Sequence, residues 1–147
     1  MPVSKLVCIK AYSGIPFAHR APFHDGHCRF VHGHNWGFVF TFKSITNDIN
    51  NFVFDFGKLK ELKAELCELD HALVIAYNDP AIETFQALEN DDLCKLVILP
   101  STSCEGIAEY FLNKANDIVG RNSNGRVACI NCKVIEDENN SATYGEE

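Results

Sequence analysis

The sequence has no apolar run near the roughly 20 residues that a helical membrane span requires. It has no cluster of Lys and Arg either: 13 basic residues are scattered against 20 acidic ones, for a formal charge of −7. Affinity for nucleic acid or an anionic lipid surface rests on clustered cations, so neither partner is expected. A small anionic substrate would have to be met by local groups rather than by the overall field. There is no internal repeat, low-complexity tract or Pro/Gly/Ser-rich linker, and residues 1–147 read as a single domain. The segment Met1-Pro2-Val3-Ser4-Lys5-Leu6 lacks the long apolar stretch of a secretory signal, so a cytoplasmic protein is expected. The seven cysteines are odd in number and widely spaced, a pattern of free thiols rather than a disulfide framework. Cys129 and Cys132 match C-x-x-C but fall in an alternating strand pattern. Positions three apart on a strand face opposite sides, which argues against a redox or metal pair.

What is present is ordinary globular composition, 46% hydrophobic and 22% charged. A chain of this length buries about 70% of the surface its unfolded form exposes. Lys5 to Ser13 reads as a first strand, followed by a loop from Gly14 to Gly26. Trp36, Phe38, Phe40 and Phe42 alternate on one face of a second strand. Phe52-Val53-Phe54 reads as a third strand, paired with the second as a hairpin. Asp55 is placed to cap a helix that runs to about Leu69, with Leu59, Leu62, Leu66 and Leu69 at helical spacing. Residues 72–101 read as a long excursion with a short helix near Ala81 to Leu88 and a short strand from Leu96 to Leu99. Thr102-x-x-Glu105 is a capping-box pattern that opens a second helix ending near Gly120. A last strand spans Arg126 to Glu136. The expected class is α+β, a four-stranded antiparallel sheet with two helices on one face.

Histidine is where the sequence departs from the ordinary. Five of the six lie between positions 19 and 34. His32-Gly33-His34 enters a strand, where residues two apart project to the same side and can reach one ion. His19 follows the first strand and would arrive beside that pair if the two strands run antiparallel. Three neutral imidazoles suit zinc and leave a fourth position open, as a catalytic site requires. The alternative is a set of partly exposed histidines making ordinary hydrogen bonds. A cupin is discounted because Asn35 to Thr41 contains no acid. Cys28 lies close upstream, either as a fourth ligand that closes the site or as a free base. Asp70-His71 follows a helix end, where a histidine either caps the helix dipole or serves a site. Glu136 continues the row of Ala128, Ile130, Cys132 and Val134 at the end of the last strand. There it either finds a buried partner or frays into solvent.

The segments Phe17-Ala18-His19-Arg20, Cys28-x-x-x-His32-Gly33-His34, Asp55-Phe56-x-x-Leu59-Lys60, Leu69-Asp70-His71, Thr102-Ser103-Cys104-Glu105 and Val134-Ile135-Glu136, with Tyr144 beyond, occur in one order. In that order they resemble the 6-pyruvoyl-tetrahydropterin synthase and 6-carboxytetrahydropterin synthase family across nearly the whole chain. The three residues between Cys28 and His32 resemble the bacterial 6-carboxytetrahydropterin synthases of queuosine biosynthesis; the animal pyruvoyl enzymes have a longer gap.

The resemblance implies a tunnelling fold (T-fold), whose sheets combine into an oligomeric barrel as a homo-trimer or a dimer of trimers. It implies zinc on His19, His32 and His34, Cys28 as proton acceptor, and His71 with Asp70 as its relay. Glu136 would anchor the pterin ring, in a pocket also lined by Ser103, Cys104 and Glu105. The implied reaction is conversion of 7,8-dihydroneopterin triphosphate to 6-carboxy-5,6,7,8-tetrahydropterin with release of acetaldehyde and triphosphate. Formation of 6-pyruvoyl-tetrahydropterin is the alternative within the class, and a non-catalytic zinc- or pterin-binding module the alternative outside it. The pair Ser103-Cys104 departs from the family's usual Thr-Ser or Thr-Thr before the glutamate. The connection from His71 to Thr102 is also longer than in compact bacterial members.

Overall fold

The computed structural model describes residues 6–146. Its centre is a mixed sheet of six strands: β1 (Val7–His19), β2 (His32–Ser44), β3 (Ala72–Ala76), β4 (Lys95–Leu99), β5 (Val127–Ile135) and β6 (Ser141–Gly145). They lie side by side in the order β4-β3-β1-β2-β5-β6. Three helices accompany them: α1 (Lys60–Cys67), α2 (Ile82–Asn90) and α3 (Cys104–Arg121). The class is α+β as expected, but with six strands instead of four and with two parallel pairings, β1 with β3 and β3 with β4.

The first strand corrects the expectation most usefully. Its Lys5 start lies outside the described residues, and it does not end at Ser13. Gly14 takes a φ of 71° where the pairing with β2 shifts between Tyr12 and Ile15. Glycine adopts that left-handed conformation without strain, so the chain bulges and resumes pairing instead of leaving the sheet. The resumed register sets His19 opposite His32 and Phe17 opposite His34.

Trp36, Phe38, Phe40 and Phe42 are all fully buried on one face of β2, with Phe111 of α3 edge-on to Phe38 at 5.3 Å. The expected Phe52–Phe54 strand is absent. Asp48 Oδ1 accepts from the amides of Asn50 and Phe52, and this turn carries Val53 and Phe54 into the core as irregular chain. The β2 edge expected for that segment is taken by β5. The Asp55 carboxylate accepts from the Gly57 amide at the head of a short 3-10 turn, and α1 begins only after it. All four leucines from Leu59 to Leu69 are buried as their spacing predicts.

Residues 72–99 form a β3-α2-β4 unit, in which α2 and β4 match the expected short helix and short strand and β3 is the added element. Ala72 and Val74 join the main core beneath α1 and α3, whereas Leu73 and Ile75 form a second cluster with Phe85 of α2. Alternate residues of one strand face opposite sides, so α2 covers the face opposite the other two helices. This strand is buried on both faces, which is why its run Ala-Leu-Val-Ile-Ala showed no alternation.

Another bulge interrupts β5, with the register against β2 shifting between Thr41 and Phe42 around Ile130. It puts Cys129 and Cys132 both in the core, contrary to the strict alternation assumed. Burial pushes the Cys129 thiol up to about 12 and raises that of Cys132 further, so neither is a ready thiolate. Beyond the bulge Cys132 and Val134 remain buried, and the chain reaches Glu136 before turning into β6.

Candidate metal centre

The paired ends of β1 and β2 bring His19, His32 and His34 together above the buried Trp36. Ring centroids are separated by 4.6 Å for His19–His32, 5.0 Å for His32–His34 and 5.4 Å for His19–His34. Trp36 forms the floor, edge-on to His19 at 4.8 Å and to His34 at 5.4 Å. Its own position is fixed by an indole N–H bond to the Phe17 carbonyl and by stacking on the Phe17 ring. Glu136 enters from the end of β5. One potential ligand atom from each of these four residues lies within 4.8 Å of all the others.

The polarity of the rings follows from their hydrogen bonds. His19 Nδ1 meets the carbonyl oxygen of Thr102 at 2.7 Å, and His32 Nδ1 meets that of Phe30 at 2.6 Å. A carbonyl only accepts, so each Nδ1 carries the proton and each Nε2 keeps its lone pair for the site. Burial holds His19 below the ordinary imidazole range, which keeps it in the neutral, ligating form. The Nε2 atoms of His19 and His34 are buried without a hydrogen-bond partner. Buried polar atoms without a partner are costly, and three imidazoles aimed at one point are the donor set of zinc. The residues therefore fit the metal that their spacing suggested.

A cavity of about 300 Å³ adjoins the centre. It is lined by His19 and His32, by Cys28 on the exposed 3-10 turn His27–Arg29, by Ser103, Cys104 and Glu105 at the start of α3, and by Glu136. Cys28 is outside the four-residue cluster, on the cavity wall. Ser103, not Thr102, caps α3 by accepting from the Gly106 amide. Thr102 is buried and donates its hydroxyl to the Arg20 carbonyl at 2.7 Å. The Cys104 thiol donates to the Val134 carbonyl, and burial with the Glu136 and Glu105 charges pushes it up to about 11. It is thus a neutral hydrogen-bonding group in the wall.

Asp70 and His71 do not line this cavity. His71 sits after α1 with a left-handed φ of 60°, its side chain exposed and its Nδ1 2.7 Å from Asp70 Oδ1. A non-glycine residue rarely takes this conformation, which here is fixed by a bond from the His71 amide to the Pro16 carbonyl. His71 lines an open depression that also touches Gly33, His34 and Asn35.

The supports of the centre are barely marked in the sequence. Arg20 makes a two-point bond to Asp79, from Nε at 2.7 Å and Nη2 at 2.6 Å, and the Asp79 side chain is fully enclosed. This pair ties the residue after His19 to the loop after β3. The Arg20–His19 adjacency was a faint signal, and nothing marked Asp79 as its partner.

The family model for 6-pyruvoyl tetrahydropterin synthase matches residues 8–147. The chain belongs to this family. Members of the 6-pyruvoyl- and 6-carboxytetrahydropterin synthase family are lyases that act on pterins. A 6-carboxy-5,6,7,8-tetrahydropterin synthase from Rickettsia conorii is 28% identical over 99 residues, covering 65% of this chain and 70% of the relative. An uncharacterized protein from Wolinella succinogenes superposes with a TM-score of 0.83 at 18% identity, over 99% of this chain and 100% of its own. The 6-pyruvoyl tetrahydropterin synthase of Caenorhabditis elegans gives 0.67 at 20% identity, over 100% of this chain and 99% of the other. That of Plasmodium vivax gives 0.65 at 19%, over 96% and 98%. These likenesses establish the tunnelling fold. Among the described residues no helix is long and apolar enough to cross a membrane.

Proposed function

We propose that the protein is a zinc-dependent lyase converting 7,8-dihydroneopterin triphosphate to 6-carboxy-5,6,7,8-tetrahydropterin, with acetaldehyde and triphosphate released, in the cytoplasmic synthesis of queuosine-type 7-deazapurines. The observation that carries the reading is the convergence of three imidazoles, two of them oriented by backbone carbonyls, beside a cavity that also holds a cysteine and a carboxylate. A purely structural metal site has no need of either group. The likeness to the Rickettsia carboxy enzyme and the three-residue spacing between Cys28 and His32 favour this product over 6-pyruvoyl-tetrahydropterin.

His19, His32 and His34 would hold the zinc, which supplies Lewis acidity towards the vicinal hydroxyls of the substrate side chain. As a carboxylate, Glu136 would accept both of the paired N–H groups on the amino-pyrimidine edge of a pterin. The start of α3 adds the Ser103 hydroxyl and Glu105 to the same cavity wall. Cys28, exposed on its turn, would act as the thiolate: the C–H bond next to the bound hydroxyls breaks as the S–H bond forms. The Asp70-His71 pair then returns or relays protons, through an imidazole that the carboxylate orients by its Nδ1.

Within one subunit that pair stands apart from the cavity of Cys28. Together with the sheet edges at β4 and β6, which no other strand among the described residues pairs, this supports a homo-oligomer, a trimer or a dimer of trimers, in which one subunit's dyad serves another's cavity. Exposed Ile9 and Ala11 on β1 give the sheet an apolar outer face to bury in such an assembly.

Incubation of zinc-loaded protein with 7,8-dihydroneopterin triphosphate and identification of the products tests the reading. Acetaldehyde in equal amount to 6-carboxytetrahydropterin is expected. A 6-pyruvoyl product would move the protein to the sister reaction, and unchanged substrate would leave it a binding module.

A further inference from the structure

The carboxylate of Glu136 stands where the fourth ligand of the metal would. Its Oε1 is 3.3 Å from His34 Nε2 and 3.4 Å from His19 Nε2. The His19 hydrogen is committed to the Thr102 carbonyl on the other side of the ring. In the neutral ring the contact with Glu136 therefore brings a lone pair towards a carboxylate oxygen. The buried Nε2 atoms of His19 and His34 have no hydrogen-bond partner at all. A cation held between these atoms would relieve the repulsion of two facing acceptors, and one atom from each of the four residues lies within 4.8 Å of the others. The spacing is itself that of co-ligands: two donors each about 2.0–2.1 Å from a tetrahedral zinc lie about 3.3–3.4 Å apart.

We infer that Glu136 closes the metal's coordination shell in the substrate-free enzyme and is released to the pterin ring when substrate binds. The inference rests on the proposed metal centre and pterin pocket, and changes what Glu136 does in them. One carboxylate oxygen cannot remain on the metal while the group accepts both N–H bonds of the pterin edge. Ring binding thus vacates a coordination position, and the side-chain hydroxyls are the groups that fill it. A pterin lacking hydroxyls would withdraw the ligand and offer nothing in return. By linkage, such a pterin and the metal must weaken each other's binding. The exchange would also keep the fourth position from water and stray ligands until the correct substrate arrives. It fits the position of Glu136 on the cavity wall, in contact with the centre and the pocket alike.

The test uses Co²⁺ as the probe, titrated into metal-free full-length protein, with affinity read by chelator competition and ligand geometry by visible absorption. Glu136→Gln, checked for folding by circular dichroism, should bind Co²⁺ tenfold or more weakly and with altered bands. In the wild type, 6-methylpterin should lower Co²⁺ affinity, whereas neopterin, which carries vicinal hydroxyls, should not. Unchanged affinity and spectrum in Glu136→Gln, with binding lost in His34→Ala, overturn the role of Glu136 and leave the three-histidine centre standing. Retention of Co²⁺ in both variants overturns the centre and the inference together. Independent binding of 6-methylpterin and Co²⁺ overturns the exchange.

Discussion

His19 Nδ1 donates to the backbone carbonyl of Thr102 at 2.7 Å, a bond between residues 83 positions apart. It joins the end of β1 to the chain entering α3 and aims the lone pair of Nε2 into the centre. The Thr102 hydroxyl doubles the link by donating to the Arg20 carbonyl. Thr102→Val keeps the shape and the carbonyl but leaves the Arg20 oxygen without this partner. A loss of about 1–2 kcal/mol in stability is expected. Loosened orientation of His19 should also lower metal affinity by about 10-fold, the low end for lost outer-shell support. Thermal melting and chelator competition read the two effects, and unchanged metal affinity would limit Thr102 to a fold-holding role.

Cys28 lies on the cavity wall outside the four-residue cluster, and that separates its two possible roles. As a base, Cys28→Ala should keep one metal per subunit and lose turnover by ~10²-fold or more. As a ligand it would instead lose metal, which is the outcome expected of His32→Ala. Metal stoichiometry by mass spectrometry and product formation, measured on both variants, decide the matter. Normal turnover in Cys28→Ala would remove the thiol from the mechanism.

Much of the centre was readable because strand geometry is simple. A spacing of two places His32 and His34 on one side, and the antiparallel partner delivers His19. The half-buried Glu136 is harder to read: nothing local shows that it reaches the histidines instead of fraying. The fold was less legible wherever glycine or irregular backbone overrode pattern. Gly14 looked like a loop and is a bulge within β1; Phe54 looked like strand and is core filling carried by a turn. The helix α2 and the strand β4 were legible, whereas β3 escaped because a strand buried on both faces has no period to detect.

His71 and Cys28 occupy different depressions of the same subunit. If neighbouring subunits complete each other's sites, a mixture can recover what each variant lacks. Cys28→Ala and His71→Ala should each be nearly inactive alone. Subunit exchange between them should restore activity, because some interfaces then pair an intact cysteine with an intact dyad. A mass corresponding to the monomer at micromolar concentration, or no recovery after demonstrated exchange, would contradict the shared site.

Asp79 offers a test on pH. Its carboxylate is enclosed and held by the Arg20 guanidinium, which keeps its pKa below the usual carboxylate range. Arg20 also lies 5.4 Å from the centre of the Phe85 ring, so its other side is walled by apolar surface. Asp79→Asn preserves volume but removes the charge that Arg20 faces, and a loss on the order of 3 kcal/mol is expected near neutrality. Between the lowered folded value and the unfolded value of about 3.9, the unfolded chain binds the extra proton. Stability from the pair is therefore complete above the unfolded value and is lost as pH falls through the folded one. Denaturant unfolding of the metal-free proteins should show a constant gap between wild type and variant from pH 5 to 8. Below pH 4 the gap should narrow, as the wild-type carboxylate takes up a proton and the pair dissolves. A gap that stays constant to the acid limit would mean that Asp79 is not held ionised by Arg20.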